Sequence, residues 1–102
     1  MNKPLTFELI QMKTKSSWIH TIKSLNLWGN DLDNISIVQE MKALEVLSLS
    51  VNHITTLKDI TKCAHLRELY LRRNKVASIH ELRYLKELHK LKIVSLTENP
   101  IA

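Results

Sequence analysis

Residues 44–54 read Leu44-Glu-Val-Leu47-Ser-Leu49-Ser-Val-Asn52-His-Ile54, and three other segments align with them without gaps. They are Ile22-Lys-Ser-Leu25-Asn-Leu27-Trp-Gly-Asn30-Asp-Leu32, Leu66-Arg-Glu-Leu69-Tyr-Leu71-Arg-Arg-Asn74-Lys-Val76 and Leu91-Lys-Ile-Val94-Ser-Leu96-Thr-Glu-Asn99-Pro-Ile101. Each has an aliphatic residue at positions one, four, six and eleven and Asn at position nine. The four Asn are spaced by 22, 22 and 25 residues. Such a period means a stack of similar coils, each burying its apolar side against the next. Within each unit the two-residue step puts two aliphatic side chains on one face of a short strand. The Asn follows where the chain turns away, so Asn30, Asn52, Asn74 and Asn99 are expected to form a ladder. Their side-chain amides would there satisfy buried backbone groups of adjacent coils.

Between the strand units a second apolar series repeats in steps of three. Ile35, Val38 and Met41 match Leu57, Ile60 and Cys63, and, counted from the preceding Asn, Ile79, Leu82 and Leu85. A step of three suits a helical or 3₁₀ return path. The third unit is longer by three residues, and its stretch from His80 to Lys90 is rich in good helix formers. That composition predicts a true α-helix there. The expected fold is thus an α/β, right-handed leucine-rich-repeat solenoid with short parallel strands on its concave side. Its units are 22–43, 44–65, 66–90 and a shorter 91–102. Residues 1–21 do not fit the repeat and are expected to form an N-terminal cap helix, with Thr6 as N-cap. Leu91, Val94 and Leu96 would have no coil above them, so the natural chain is expected to continue or the open face to pack on another copy.

Composition agrees with such a stack. Leu, Ile and Val make up 17, 10 and 5 of 102 residues, whereas aromatics are only 5% and there is one Gly. A single Gly leaves no material for a phosphate-cradling loop or a dinucleotide fingerprint. No apolar run is long enough to span a bilayer, and no signal-peptide core precedes the repeats. Cys63 is alone, so it forms neither an internal disulfide nor a cysteine zinc cluster; at an inward position it reads as a small buried hydrophobe. A cytoplasmic protein in a reducing compartment is expected. The five His show no i,i+4 pair and no carboxylate constellation, and no nucleophile–base set stands out. No enzyme, cofactor or metal is expected.

Side-chain direction follows from the register. The concave rows across the coils are Ser24, Val46, Glu68 and Ile93; then Asn26, Ser48, Tyr70 and Ser95; then Trp28, Ser50, Arg72 and Thr97. The edge continues through Arg73 and through Asp31, His53 and Lys75. Trp, Tyr and Arg are enriched at interface hot spots, and small residues between them leave a shallow groove. Trp28, Ser48, Ser50, Tyr70, Arg72, Arg73 and Lys75 are therefore the expected partner-binding residues. The competing reading folds Trp28 over the cap and pairs the arginines with Glu68 or Glu98. Residues 58–92 carry 10 Lys+Arg against 4 Asp+Glu, which could attract RNA, a microtubule surface or an acidic peptide. Several of these cations lie on return limbs, so a solvated face is the favoured reading and nucleic acid is not the expected partner.

The unit L-x-x-L-x-L-x-x-N-x-I-x-x-L resembles the intracellular 22-residue leucine-rich repeats of phosphatase-regulatory subunits, the leucine-rich dynein light chain and the spliceosomal A-prime protein. Over residues 5–101 a narrower likeness is carried by Leu25-Asn26-x-Trp28-Gly29, Asp33-x-Ile35-Ser36-Ile37-x-Gln39-Glu40-Met41 and Leu44-Glu45-Val46. Leu49-Ser50-Val51-Asn52, Glu68-Leu69-Tyr70-Leu71-Arg72-Arg73-Asn74 and Glu98-Asn99-Pro100 extend it. These strings resemble a family of cilia- and flagella-associated leucine-rich-repeat proteins. The resemblance implies a non-enzymatic interaction module at the ciliary or flagellar basal body, needed for cilium assembly or maintenance. It also implies a NIMA-related kinase as partner, a link to DNA-damage responses, and a C-terminal oligomerisation segment that this chain lacks. The alternatives are a nucleic-acid-associated adaptor like the spliceosomal relative and a phosphatase-regulatory scaffold.

Overall fold

A computed structural model describes residues 2–101. The chain enters along the edge of the first coil. Leu5 N–H donates to Asn34 O at 2.7 Å and Asp33 N–H to Lys3 O at 3.1 Å, so Pro4 pairs in parallel with Asn34. A proline is tolerated there because the bridge is made by the N–H groups of Leu5 and Asp33 and asks none of residue 4. Helix α1 (Phe7–Thr14) follows. Thr6 Oγ1 accepts from Leu9 N–H, and Lys15, at φ 62°, closes the helix by donating to Gln11 O. Glu8 in the first turn and Lys13 in the last complement the helix dipole. Ile10 is fully buried and α1 packs near β1, covering the first coil.

Four strands, β1 (Ser24–Asn26), β2 (Val46–Ser48), β3 (Glu68–Tyr70) and β4 (Ile93–Ser95), form one parallel sheet in sequence order. The register pairs Ser24, Val46, Glu68 and Ile93 in one row and Asn26, Ser48, Tyr70 and Ser95 in another, as the repeat alignment requires. The fold is thus a solenoid of leucine-rich repeats. Leu25, Leu47 and Leu69 point inward and are buried, whereas Val94, their counterpart on β4, is 39% exposed and Ile93 beside it 44%.

Behind the strands the Asn residues join the coils. Asn52 accepts from Leu32 N–H at 2.8 Å and Asn30 N–H at 3.1 Å, and its amide donates to Leu27 O and Leu49 O, both at 2.9 Å. Asn74 serves Ile54 N–H, Leu49 O and Leu71 O, and Asn99 serves Val76 N–H, Leu71 O and Leu96 O. Asn30 differs: its amide reaches only Trp28 O of its own turn. Immediately before each Asn the backbone is left-handed, with φ 67° at Gly29, 60° at Val51, 58° at Arg73 and 60° at Glu98. The one glycine therefore occupies a column in which three L-residues accept that conformation.

The return limbs are 3₁₀ turns at Ser36–Glu40, Lys58–Lys62 and Ile79–Leu85. The last replaces the α-helix expected from His80 to Lys90. Its i→i+3 bonds run from Glu81 N–H to Ser78 O and from Lys86 N–H to Arg83 O, and the spacing continues to Leu88. The limb must lie against the 3₁₀ turn of the coil below, and this stacking overrides the helix propensity of its residues. The inward set also differs from expectation. Ile79 is 69% exposed, Leu82 and Leu85 are half-buried, and Leu88 is buried. The three extra residues amount to one 3₁₀ turn, so the apolar face survives but its members shift. Counted back from Leu91, Leu88 corresponds to Cys63, Leu85 to Ile60 and Leu82 to Leu57. Polar bonds link the limbs as well. Gln39 Nε2 donates to the buried Asp59 at 2.6 Å, and Glu81 Oε1 accepts from Thr56 Oγ1 and Leu57 N–H, both at 2.9 Å.

Candidate interaction face

The parallel register carries the interleaved strand residues onto one surface. Trp28 stands at the first coil with 62% of its surface exposed. Its backbone N–H donates to Asn26 Oδ1 and its carbonyl accepts from Asn30, so local bonds fix the backbone that presents the ring. Ser48 and Ser50 on the second coil are half-buried and small, leaving a shallow saddle between Trp28 and the third coil. There Tyr70 Oη donates to Glu68 Oε1 at 2.6 Å. The Glu68 carboxylate, through that bond, raises the Tyr70 phenol above its ordinary value.

The two arginines share one acid. Arg72 Nε donates to Glu98 Oε2 at 2.6 Å and Arg73 Nε to Glu98 Oε1 at 2.9 Å. All three side chains are largely exposed, so this pair of bonds adds little stability. Its effect is to orient. Each guanidinium donates through Nε, which leaves its terminal nitrogens for another acceptor. Hydrogen bonds from Arg73, then Arg72, hold the Glu98 carboxyl below its ordinary value. Of the two pairings weighed for the arginines, Glu98 is the partner, while Trp28 remains exposed.

Lys75 lies on the exposed edge row with Asp31 and His53. His53 Nε2 is 3.4 Å from Asp31 Oδ1, a carboxylate partner that the histidine spacing alone did not reveal. This row borders an open hollow of about 740 Å³, whose lining includes Lys3, Asp33 and Thr55. Trp28, Tyr70, Arg72 and Arg73 thus share the concave side, with the serines between them and Lys75 at the rim. Asn52, Asn74 and Asn99 lie beneath, buried in the fold, whereas Asn30 is only partly covered. Cys63 is fully buried, its Sγ 3.6 Å from Val38 O and 3.7 Å from Met41 O. Burial pushes its thiol up to about 11. Among the described residues no group of three His, Cys, Asp or Glu could hold a metal ion, and no helix is long and apolar enough to cross a membrane.

Known proteins share both pattern and fold. Residues 42–84 match the family model described as leucine-rich repeats in two copies. Human cilia- and flagella-associated protein 410 is 49% identical over 96 residues, which cover 94% of this chain and 38% of that protein. The mouse protein of the same name is 47% identical over 94% of this chain and 39% of its own length. The chain thus spans under two fifths of these relatives. The crystal structure of internalin C2 from Listeria monocytogenes superposes with a TM-score of 0.72 at 27% identity, over 89% of this chain and 37% of that one. Repeat, parallel sheet and comparisons agree: the chain is a leucine-rich-repeat solenoid, similar over nearly its whole length to cilia- and flagella-associated protein 410.

Proposed function

We propose that this chain is a non-catalytic protein-interaction module of a cilium- or flagellum-associated protein, docking its partner on the concave face. The observation that carries the reading is a row of interface-type side chains, of which Tyr70, Arg72 and Arg73 are held in place by side-chain bonds before any partner arrives. Trp28 is exposed on a locally bonded backbone, Tyr70 is tied to Glu68, and Arg72 and Arg73 are aligned by Glu98. Side chains already ordered in the free protein lose less entropy on binding. Ser48 and Ser50 give the partner room between the aromatic and basic ends, and Lys75 extends the basic end along the rim.

The relatives' name supports association with cilia or flagella. Action at the basal body, in cilium assembly or maintenance, goes further and rests on the family resemblance, as does a NIMA-related kinase as first partner to test. The test is capture from extracts of ciliated cells by the folded protein, with Trp28→Ala and Arg72→Ala compared against wild type. Both residues are exposed, so both variants are expected to fold. The reading requires that each variant lose a protein that wild type retains, and that this protein, when tagged, localise with the cilium or its base. An unchanged set of captured proteins would sink it.

A further inference from the structure

The strand entries, at the opposite end of each strand from the Asn turn, hold a second cluster. Glu45, Arg67 and Lys92 occupy one row on successive coils. Arg67 N–H donates to Glu45 O and Lys92 N–H to Arg67 O, both at 2.8 Å. On the turns leading into β3 and β4, His65 and Lys90 also face each other, with Lys90 Nζ 3.1 Å from His65 Nδ1. Together with His89 these residues line a hollow of about 440 Å³. Arg67, Lys90 and Lys92 are exposed, and among the described residues none of them has an ion pair.

The charge balance here is unlike that of the surrounding surface. Of the four acids in residues 58–92, three are engaged: Glu68 with Tyr70, Glu81 with Thr56 and Leu57, and Asp59 with Gln39. Glu87 is exposed and does not line the hollow. At the strand entries three permanent cations meet one carboxylate, that of Glu45. The Lys90 ammonium donates to a histidine nitrogen where a carboxylate or phosphate oxygen would be the stronger acceptor. Adjacent coils are about 4.8 Å apart, so one tetrahedral oxyanion can be reached from both Arg67 and Lys92. The excess charge in this segment, read from sequence as a solvated face, is here gathered into a concave site.

We propose that this hollow docks a phosphorylated serine or threonine of a partner protein. A phosphomonoester brings a charge of about −1.5 to −2 and three acceptor oxygens, matching the donors of Arg67, Lys90 and Lys92. A nucleic acid fits less well. No Phe, Tyr or Trp lines the hollow, so a base would find only the smaller His65 and His89 rings and the Arg67 guanidinium to stack on. Glu45 also interrupts the basic row between Lys23 and Arg67, where a polyanion would need it unbroken. The site lies on a different rim from Trp28 and Arg72, and it stands or falls independently of the concave face.

The experiment is an NMR titration of the ¹⁵N-labelled chain with a blocked Gly-Gly-phosphoserine-Gly-Gly peptide. Saturable shifts are expected at the amides of His65, Arg67, His89, Lys90 and Lys92, with none from the unphosphorylated peptide. Arg67→Gln and Lys90→Gln should each weaken binding at least about fivefold, with amide spectra elsewhere unchanged to show that the fold persists. Shifts that fail to saturate, that spread equally to Lys58, Lys62 and Lys86, or that survive Lys90→Gln overturn the proposal. Tighter occupation of the same residues by oligouridylate, or by phosphoinositide-containing vesicles, also overturns it and reassigns the site to that ligand.

Discussion

Asn52 and Asn30 stand at the same position of consecutive repeats, but only Asn52 has a repeat on each side. Asn52 satisfies two N–H groups of the first coil and a carbonyl on each of two coils, whereas Asn30 bonds one carbonyl of its own half-exposed turn. Leaving several buried groups unpaired costs about 1–3 kcal/mol for each, so Asn52→Ala should lose about 3 kcal/mol or more. Asn30→Ala should lose less than about 1 kcal/mol, near the net worth of one ordinary bond. Urea unfolding of the two variants measures the difference; equal losses would mean that the ladder does not join the coils. Glu98 allows a second comparison. Arg73 and Arg72 favour its charged form, so its folded titration point lies below the unfolded one. Any stability it adds is therefore present above the ordinary carboxylate value and disappears as pH falls through the folded value. These groups are exposed, so the readable quantity is the titration itself. Followed by NMR at the carboxyl carbon, the Glu98 midpoint should rise toward the ordinary value in Arg73→Gln. A midpoint that does not move would mean that Arg73 and Glu98 are not paired in solution.

At the scale of the element, the third return limb is the informative case, because its apolar residues admit two alignments. Counted from Asn74, Ile79 faces inward; counted from Leu91, Leu88 does. A three-residue insertion preserves a 3₁₀ face, and periodicity alone cannot choose between them. The structure takes the second: Leu88 is 4% exposed and Ile79 69%. Leu88→Ala should therefore cost about 2–3 kcal/mol, the lower part of the range for a buried leucine because the limb is covered on one side. Ile79→Ser should stay within about 0.5 kcal/mol of wild type. Thermal unfolding of the two variants decides, and the reverse order would restore the first alignment. The strands were legible for the opposite reason. Leu47 and Leu49 allow only one two-residue phase, and the Asn spacing pins it, so every concave row could be read residue by residue. The cap was partly legible, through Thr6, but not the pairing of Pro4 with Asn34. Backbone pairing of an edge segment leaves no pattern in side chains. The same holds for Glu81 reaching Thr56 and Leu57, and for the left-handed column, where a lone Gly29 gave no hint of Val51, Arg73 and Glu98. The hollow at the strand entries escaped because it joins residues two and twenty-five apart, which a count of charges along the chain averages away.

The whole molecule is a one-dimensional stack, and its stability should vary along the stack. In such an array each coil is held by its own contacts and by the interfaces on either side. The second and third coils have both interfaces, with Leu47, Leu49, Leu69 and Leu71 fully buried. The first has α1 and the Pro4 segment on its outer side. The fourth shares a sheet edge only with β3: Ile93 and Val94 are largely exposed, and Leu91 and Leu96 half-buried. Opening the fourth coil gives up one interface and little buried apolar area, whereas opening the second gives up two. Amide hydrogen exchange of the 102-residue chain should therefore be slowest at Leu47 and Leu49. It should be faster at Leu71 and Arg73, whose N–H groups donate to Ser95 O and Thr97 O across the last interface. Those two amides test the model well, because their own residues belong to a well-packed coil and only their acceptors lie on the outer one. Uniform protection across Leu49 and Leu71 would show that the four coils open as one unit, and that the last interface is as strong as the inner ones. The expected gradient has a consequence for binding. Trp28 rests on the protected end, while Arg72 and Arg73 are aligned by Glu98 from the coil that opens first. A partner gripping both ends would therefore tie the fourth coil down, and saturation with it should slow exchange at Leu71 and Arg73 more than at Leu47.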